Sequence, residues 1–243
     1  MIKNYKITVC YDGTEYHGWQ IQPQKKTIQG EIEKALYHFK SQRIPVTGAG
    51  RTDAGVHAAA QVAHFKADLR LSTHELLNAF NGNLPPDIRI TKVKTVDMAF
   101  HARKSARSKT YQYRIFNAPN ITPFQLRYVL FHPKSLDIQK MKQAASFFVR
   151  EDDFTAISSN RLRHPIKKVI RSEIKKNENE IIYTVEADGF LKYMVRTMVG
   201  ALLMAGRGKI TPETFESLFK EKKRSSLIPT APPQGLCLLR VLY

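Results

Sequence analysis

The chain has 243 residues, 42% of them hydrophobic, which suits one large core or two compact lobes and argues against disorder. Its 39 Lys and Arg against 21 Asp and Glu leave a formal charge of +18, a balance that points to a polyanionic partner, nucleic acid first. Two cysteines, Cys10 and Cys237, each inside an apolar strand-like run, do not make a disulfide scaffold or a cysteine-based zinc site.

Polar and apolar spacing sets the expected elements in chain order. Residues 3–11 alternate as a strand. Residues 27–40 read as a helix, with Ile28, Ile32, Leu36 and Phe39 at helical spacing and Thr27 as N-cap. Residues 44–48 and 56–67 are extended and flank a glycine-bracketed turn. A short helix over 72–80 opens with Ser72 and Glu75, the spacing of a capping box. Residues 81–86 are a loop and 88–97 a strand. The second half continues with a strand over 108–117 and a helix over 137–148. A hairpin is expected from 166–176 and 181–187, then an apolar helix over 190–205 ending at Gly206. A helix over 212–219 and a strand over 235–243 close the chain. Two halves of the same βαββαβ order imply an α+β fold of two related α/β lobes. Their strands are expected to join one mixed, mainly antiparallel sheet with helices on one face. The expected division is 1–104 and 105–243. The best membrane candidate, 193–206, is too short and carries Arg196, and the first residues lack a signal-peptide apolar core. The expectation is a soluble, cytoplasmic protein.

The turn Gly48-Ala49-Gly50-Arg51-Thr52-Asp53-Ala54-Gly55-Val56-His57-Ala58 is the most distinctive stretch. Glycines let the backbone turn sharply and let a ligand approach, and Asp53 supplies a carboxylate able to act as nucleophile or base. The dinucleotide fingerprint fails because Asp53 stands where a third glycine is needed. The P-loop fails because Val56 and His57 replace its Lys and Ser/Thr. An Asp among glycines can also simply cap its own backbone. Arg196 sits in the middle of an apolar helix and needs an acceptor there. Asp53 is one such acceptor; a surface carboxylate or a phosphate is another. Gly200, one turn on, removes bulk and lets another segment approach.

The strand Lys109-Thr110-Tyr111-Gln112-Tyr113-Arg114 puts Tyr111 and Tyr113 on one face between cations, a pattern able to stack bases and hold phosphates as well as to fill a core. Two further basic runs, Arg161, Arg163, Lys167, Lys168, Arg171, Lys175, Lys176 and then Lys220, Lys222, Lys223, Arg224, fit a backbone-tracking footprint or a solvated face. The histidines lack zinc spacing, a Ser-His-Asp triad lacks its elbow, and only one carboxylate sits in a site-like context where a glycosidase needs two. His57 and His64 read as structural or RNA-facing.

These motifs run in a familiar order. The opening Tyr11-Asp12-Gly13-Thr14 and Gly18-Trp19-Gln20, the turn with Asp53, Asn83-Leu84-Pro85, Phe100-His101-Ala102-Arg103, the tyrosine strand, the 190–200 stretch and Ala231-Pro232-Pro233-Gln234-Gly235 resemble TruA-type tRNA pseudouridine synthases along essentially the whole chain. The resemblance implies two lobes sharing a sheet with a cleft between them, and a homodimer gripping one tRNA. It implies isomerisation of uridine to pseudouridine in the anticodon stem-loop, with no metal and no organic cofactor. It gives Asp53 as catalytic nucleophile, Tyr111 as the ring stacking on the target uracil, Arg196 as the partner of Asp53, and Arg51 as an arginine that helps extrude the base. Lys167 stands where the family often has arginine, and Thr197 and Met198 replace a usual Asn-Ile. Two other classes remain beside this one: a non-catalytic RNA-binding protein on the same scaffold, and a glycosidase or nucleotide hydrolase.

Overall fold

The computed structural model describes residues 1–159 and 164–243, in two units: Met1–Arg107 with Cys237–Tyr243, and Ser108–Leu236.

The first unit runs β1 (Lys3–Tyr11), α1 (Ile28–Lys40), β2 (Thr47–Gly48), β3 (His57–Ala67), α2 (Thr73–Asn83) and β4 (Ile88–Val96). β1 is central, antiparallel to β3 on one side and to β4 on the other. β2 adds antiparallel to β3, and the C-terminal strand (Leu236–Leu242) lies parallel to β3, pairing Cys237 with His57 and Leu238 with Ala58. Alternation in β1 sends Tyr5, Ile7, Val9 and Tyr11 into the core. The helices answer with Ile28, Ile32, Leu36, Leu76 and Phe80, all fully buried. Phe65 links the layers, stacking on Tyr5 at 5.2 Å and meeting Phe80 edge-on at 6.0 Å. Both helix starts are capped as their sequences imply. Thr27 accepts from the Gly30 N–H, and Ser72 and Glu75 close a capping box.

The second unit runs β5 (Ser108–Phe116), α3 (Pro123–Leu126), β6 (Leu130–Phe131), α4 (Ile138–Ser146), β7 (Glu151–Asp153), β8 (Ile166–Asn177), β9 (Glu180–Ala187), α5 (Met194–Gly206) and α6 (Pro212–Glu221). β5, β9, β8 and β7 pair antiparallel in that order, and β6 lies parallel to β5. The hairpin of β8 and β9 forms where the sequence places it. α5 is buried on all sides except at Arg196 and Met204. Gly206 lets α4 close in: a methyl there would stand 2.8 Å from Met141 Cγ. Phe148 and Phe215, 5.5 Å apart edge-on, and Phe154 and Phe219, 5.2 Å apart, fill the space around α6.

The α+β class and the mainly antiparallel pairing are as expected. Four details differ. α2 runs on to Asn83, so the first three residues of the expected loop 81–86 are helical. α5 begins at Met194, not 190, because Tyr193 takes a left-handed φ of 62° that a continuing helix cannot contain. Of residues 44–48 only Thr47 and Gly48 pair. α3, β6 and β7 are two to four residues long, too short to show a period. Among the described residues no helix is long and apolar enough to cross a membrane.

Candidate active site

In the first unit, β2 and β3 frame the Asp53 turn. The Ala49 N–H donates to the Val62 carbonyl at 2.7 Å and continues their ladder by one step. Beyond it the anchors are individual. The Gln61 amide, fully buried, donates to the Gly50 carbonyl at 3.0 Å. Thr52 is held at both ends: its carbonyl accepts from the Trp19 N–H at 3.1 Å, and its hydroxyl lies 2.8 Å from the Tyr11 phenol. Burial pushes the Tyr11 pKa well up, so the phenol keeps its proton. After Asp53 the chain reverses. The Val56 N–H donates to the Asp53 carbonyl and the Gly55 N–H to the Tyr16 carbonyl, each at 3.2 Å. Backbone on both sides of Asp53 is thereby fixed, while its side chain is half-buried and that of Arg51 is exposed. The Arg51 Nε donates to Gln20 at 3.2 Å.

The loop 12–19 lies against this turn because two glycines allow it. A methyl on Gly13 would stand 2.0 Å from the Val56 carbonyl oxygen, and one on Gly18 would stand 2.4 Å from that of Thr52, at a φ of +84°. His57 opens β3 with its Nδ1 3.1 Å from Asp12 Oδ1 and 3.2 Å from the Gly13 nitrogen. His64, farther along β3, accepts from the Ala102 N–H at 3.2 Å. Burial and the neighbouring His101, with ring centres 4.8 Å apart, hold the His64 pKa down. Both histidines are buried, as the structural reading has them.

In the second unit, Tyr111 and Tyr113 point the same way from β5, and both are buried. The Tyr111 ring meets the Phe190 edge at 5.2 Å, and the Tyr113 hydroxyl donates to the Pro232 carbonyl at 2.8 Å. Arg196 leaves the first turns of α5 half-buried. Its Nε donates to the Ala231 carbonyl at 2.7 Å, and its guanidinium lies 5.0 Å over the Tyr193 ring. Residues 190–193 therefore join the two: Phe190 touches Tyr111 and Tyr193 touches Arg196. The segment admitted by Gly200 is 228–231 of the same unit, since a methyl on Gly200 would stand 1.8 Å from the Pro229 carbonyl oxygen. A backbone carbonyl as acceptor for Arg196 is not readable from residue types. The only signal for it is the Ala231-Pro232-Pro233 run, whose prolines hold the chain extended.

The basic runs divide. Arg161 and Arg163 lie outside the described residues. Lys167 donates to the carbonyls of His164 and Ile166, Lys168 is 3.7 Å from Glu151, and Arg171 is bonded to Glu173 at 2.6 Å. Lys220, Lys222 and Lys223 are exposed and Arg224 is not. Among the described residues no group of three or more His, Cys, Asp or Glu is placed to hold a metal ion.

Comparison with known proteins agrees with the motifs. A family model described as tRNA pseudouridine synthase matches residues 7–103 and 144–243. The chain is 41% identical, over 99% of both chains, to tRNA pseudouridine synthase A of Thermodesulfovibrio yellowstonii. It is 39% identical to the protein of the same name from Methylacidiphilum infernorum, covering 100% of this chain and 96% of that one. Among solved structures it is similar to a Cbf5-Nop10-Gar1 complex at 12% identity and a TM-score of 0.36, over 96% of this chain and 57% of that one. With the family model and end-to-end relatives in agreement, the chain belongs to the tRNA pseudouridine synthase family of enzymes.

Proposed function

We propose that this chain isomerises uridine to pseudouridine in the anticodon stem-loop of tRNA, with Asp53 as the nucleophile. On this reading it works in the cytoplasm as a homodimer that grips one tRNA, and it uses no metal and no organic cofactor. One observation carries the proposal: a half-buried carboxylate on a turn tied down on both sides, in a chain 41% identical along its length to a tRNA pseudouridine synthase A.

The reaction breaks an N-glycosidic bond and remakes the link at carbon. Substrate and product contain the same atoms and there is no net oxidation, so a carboxylate, a platform for the base and a nearby cation suffice. The uridine must first leave its stack, at a cost of a few kcal/mol that is smallest in a loop. Arg51, exposed on the turn, serves that extrusion. Asp53 must be ionised to attack, a state that an opposite charge favours, and the family resemblance gives that part to Arg196. Tyr111 supplies the aromatic face on which the uracil is held while it turns. The net charge of +18 suits the phosphate backbone.

Asp53→Asn keeps the size of the side chain and removes the nucleophile. The expected result is no detectable pseudouridine in a tritium-release assay with tRNA binding retained. A wild-type rate in that variant removes Asp53 from the role.

A further inference from the structure

Arg224 ends the basic run that begins at Lys220, yet it does not share the exposure of the lysines before it. Its Nη2 donates to the Ile228 carbonyl at 2.7 Å and to the Thr230 hydroxyl at 3.2 Å. Its Nη1 is sealed from solvent and has no hydrogen-bond partner. Burial lowers its pKa, although an arginine keeps its charge at neutral pH. A desolvated guanidinium with a donor unmatched is costly. Such a group is worth keeping only if its other bonds hold something that matters.

What they hold is the segment 228–231. Ile228 is buried, and the segment meets α5 at three successive points. The Pro229 carbonyl fills the space that Gly200 leaves open. The Thr230 hydroxyl lies 3.4 Å from that of Thr197, one of the positions where this chain departs from the family's usual residue. The Ala231 N–H donates to the Arg196 carbonyl at 3.0 Å, and the Ala231 carbonyl takes the Arg196 Nε in return. The Nε side of the Arg196 guanidinium is thus held by a carbonyl on a strap, and Arg224 fastens the near end of that strap. A direct hold on RNA phosphate is the competing role. Against it, Nη1 is closed off from solvent and Nη2 already serves two acceptors of its own chain.

We infer that Arg224 is a positioning residue: it holds 228–231 so that the Ala231 carbonyl orients Arg196. The inference rests on the reading of Arg196 as a site residue given above.

The test compares the full-length wild type with Arg224→Lys, Arg224→Ala, Thr230→Val and Arg196→Ala. Tritium release from unmodified tRNA transcripts gives kcat and KM, and tRNA binding is measured across salt concentrations. Displacing a site group by about 1 Å can cost about 100-fold, so both Arg224 variants are expected to lose tenfold or more in kcat. Their KM and the salt slope of binding stay at wild-type values. Thr230→Val moves kcat the same way by less, and it carries the test together with Arg224→Lys if Arg224→Ala does not fold. Arg224→Lys placed in the Arg196→Ala background adds no further loss. Wild-type kcat in the Arg224 variants overturns the inference. So does a salt slope lowered by about one unit, the mark of a lost phosphate contact. An inactive Arg196→Ala beside fully active Arg224 variants sinks this inference alone, whereas a fully active Arg196→Ala sinks the reading beneath it as well.

Discussion

Thr52 and Gly55 bracket Asp53 with backbone bonds, and the loop 12–19 supplies both partners, the Trp19 N–H and the Tyr16 carbonyl. The Asp53 side chain is therefore positioned by residues that have no part in the proposed chemistry. Gly18 shows the dependence most sharply. In Gly18→Ala the new methyl meets the Thr52 carbonyl oxygen at 2.4 Å, and the backbone there is already left-handed at +84°. The left-handed penalty alone is about 1–2 kcal/mol. A loss of about 2 kcal/mol or more in denaturant unfolding is expected, with kcat falling further than tRNA affinity; an unchanged kcat contradicts this role for the loop. At this scale the sequence was legible where chemistry is local. Asp53 among glycines stands out, and so does a tyrosine strand. Ala231 does not, because a backbone carbonyl looks the same in every residue, and Arg224 reads as one more surface cation until its surroundings are known.

Elements were legible in proportion to their length and the purity of their period. β1, α1 and α2 carry clean patterns, the two helices with side-chain caps, and each starts where its pattern does, although α2 runs on to Asn83, three residues past its expected end. α5 is the exception: residues 190–193 are nearly as apolar as the helix after them, so periodicity carries its start four residues too far back. The left-handed Tyr193 that ends the run has no compositional mark, since tyrosine is not a residue that favours φ of 62°. The tight side of α5 is its Gly200 face. In Gly200→Ala the methyl meets the Pro229 carbonyl oxygen at 1.8 Å, and a backbone carbonyl cannot rotate away as a side chain could. Overpacking of this kind costs about 1–3 kcal/mol. The expected outcome is destabilisation at the upper end of that range, with a fall in kcat as Ala231 moves away from Arg196. A variant as stable and active as wild type shows the strap to be dispensable.

Across the whole molecule, two buried histidines make stability depend on pH. His64 faces His101 and Lys66, and His132 accepts from the Arg207 guanidinium at 3.2 Å through Nε2 while its Nδ1 lies 2.8 Å from the Lys134 carbonyl. Burial is the leading cause that lowers both pKa values below 6.5, with charge repulsion from these neighbours adding to it. The folded chain therefore binds fewer protons than the unfolded chain just below that value. Their contribution is fully present above pH 6.5 and is lost as pH falls from there through the folded values. Thermal midpoints should be flat between pH 7 and 8 and drop below pH 6.5, and His132→Gln should flatten part of that drop. A midpoint that rises on acidification in this window reverses the sign and rejects the assignment.

The pairing of the C-terminal strand with β3 has a consequence in time. Its strand character was legible from alternation over 235–243, but its partner, most of the chain away, was not. A protein is synthesised from its N-terminus, so β3 and the Asp53 turn emerge long before the residues that pair with His57 and Ala58. Until the strand Leu236–Leu242 arrives, β3 presents its free edge as a template for other chains. The sheet that carries the Asp53 turn gains this partner only after Cys237 and Leu238 have been made. A truncated or stalled chain would hold every residue of the turn and still lack the strand that closes the sheet beside it.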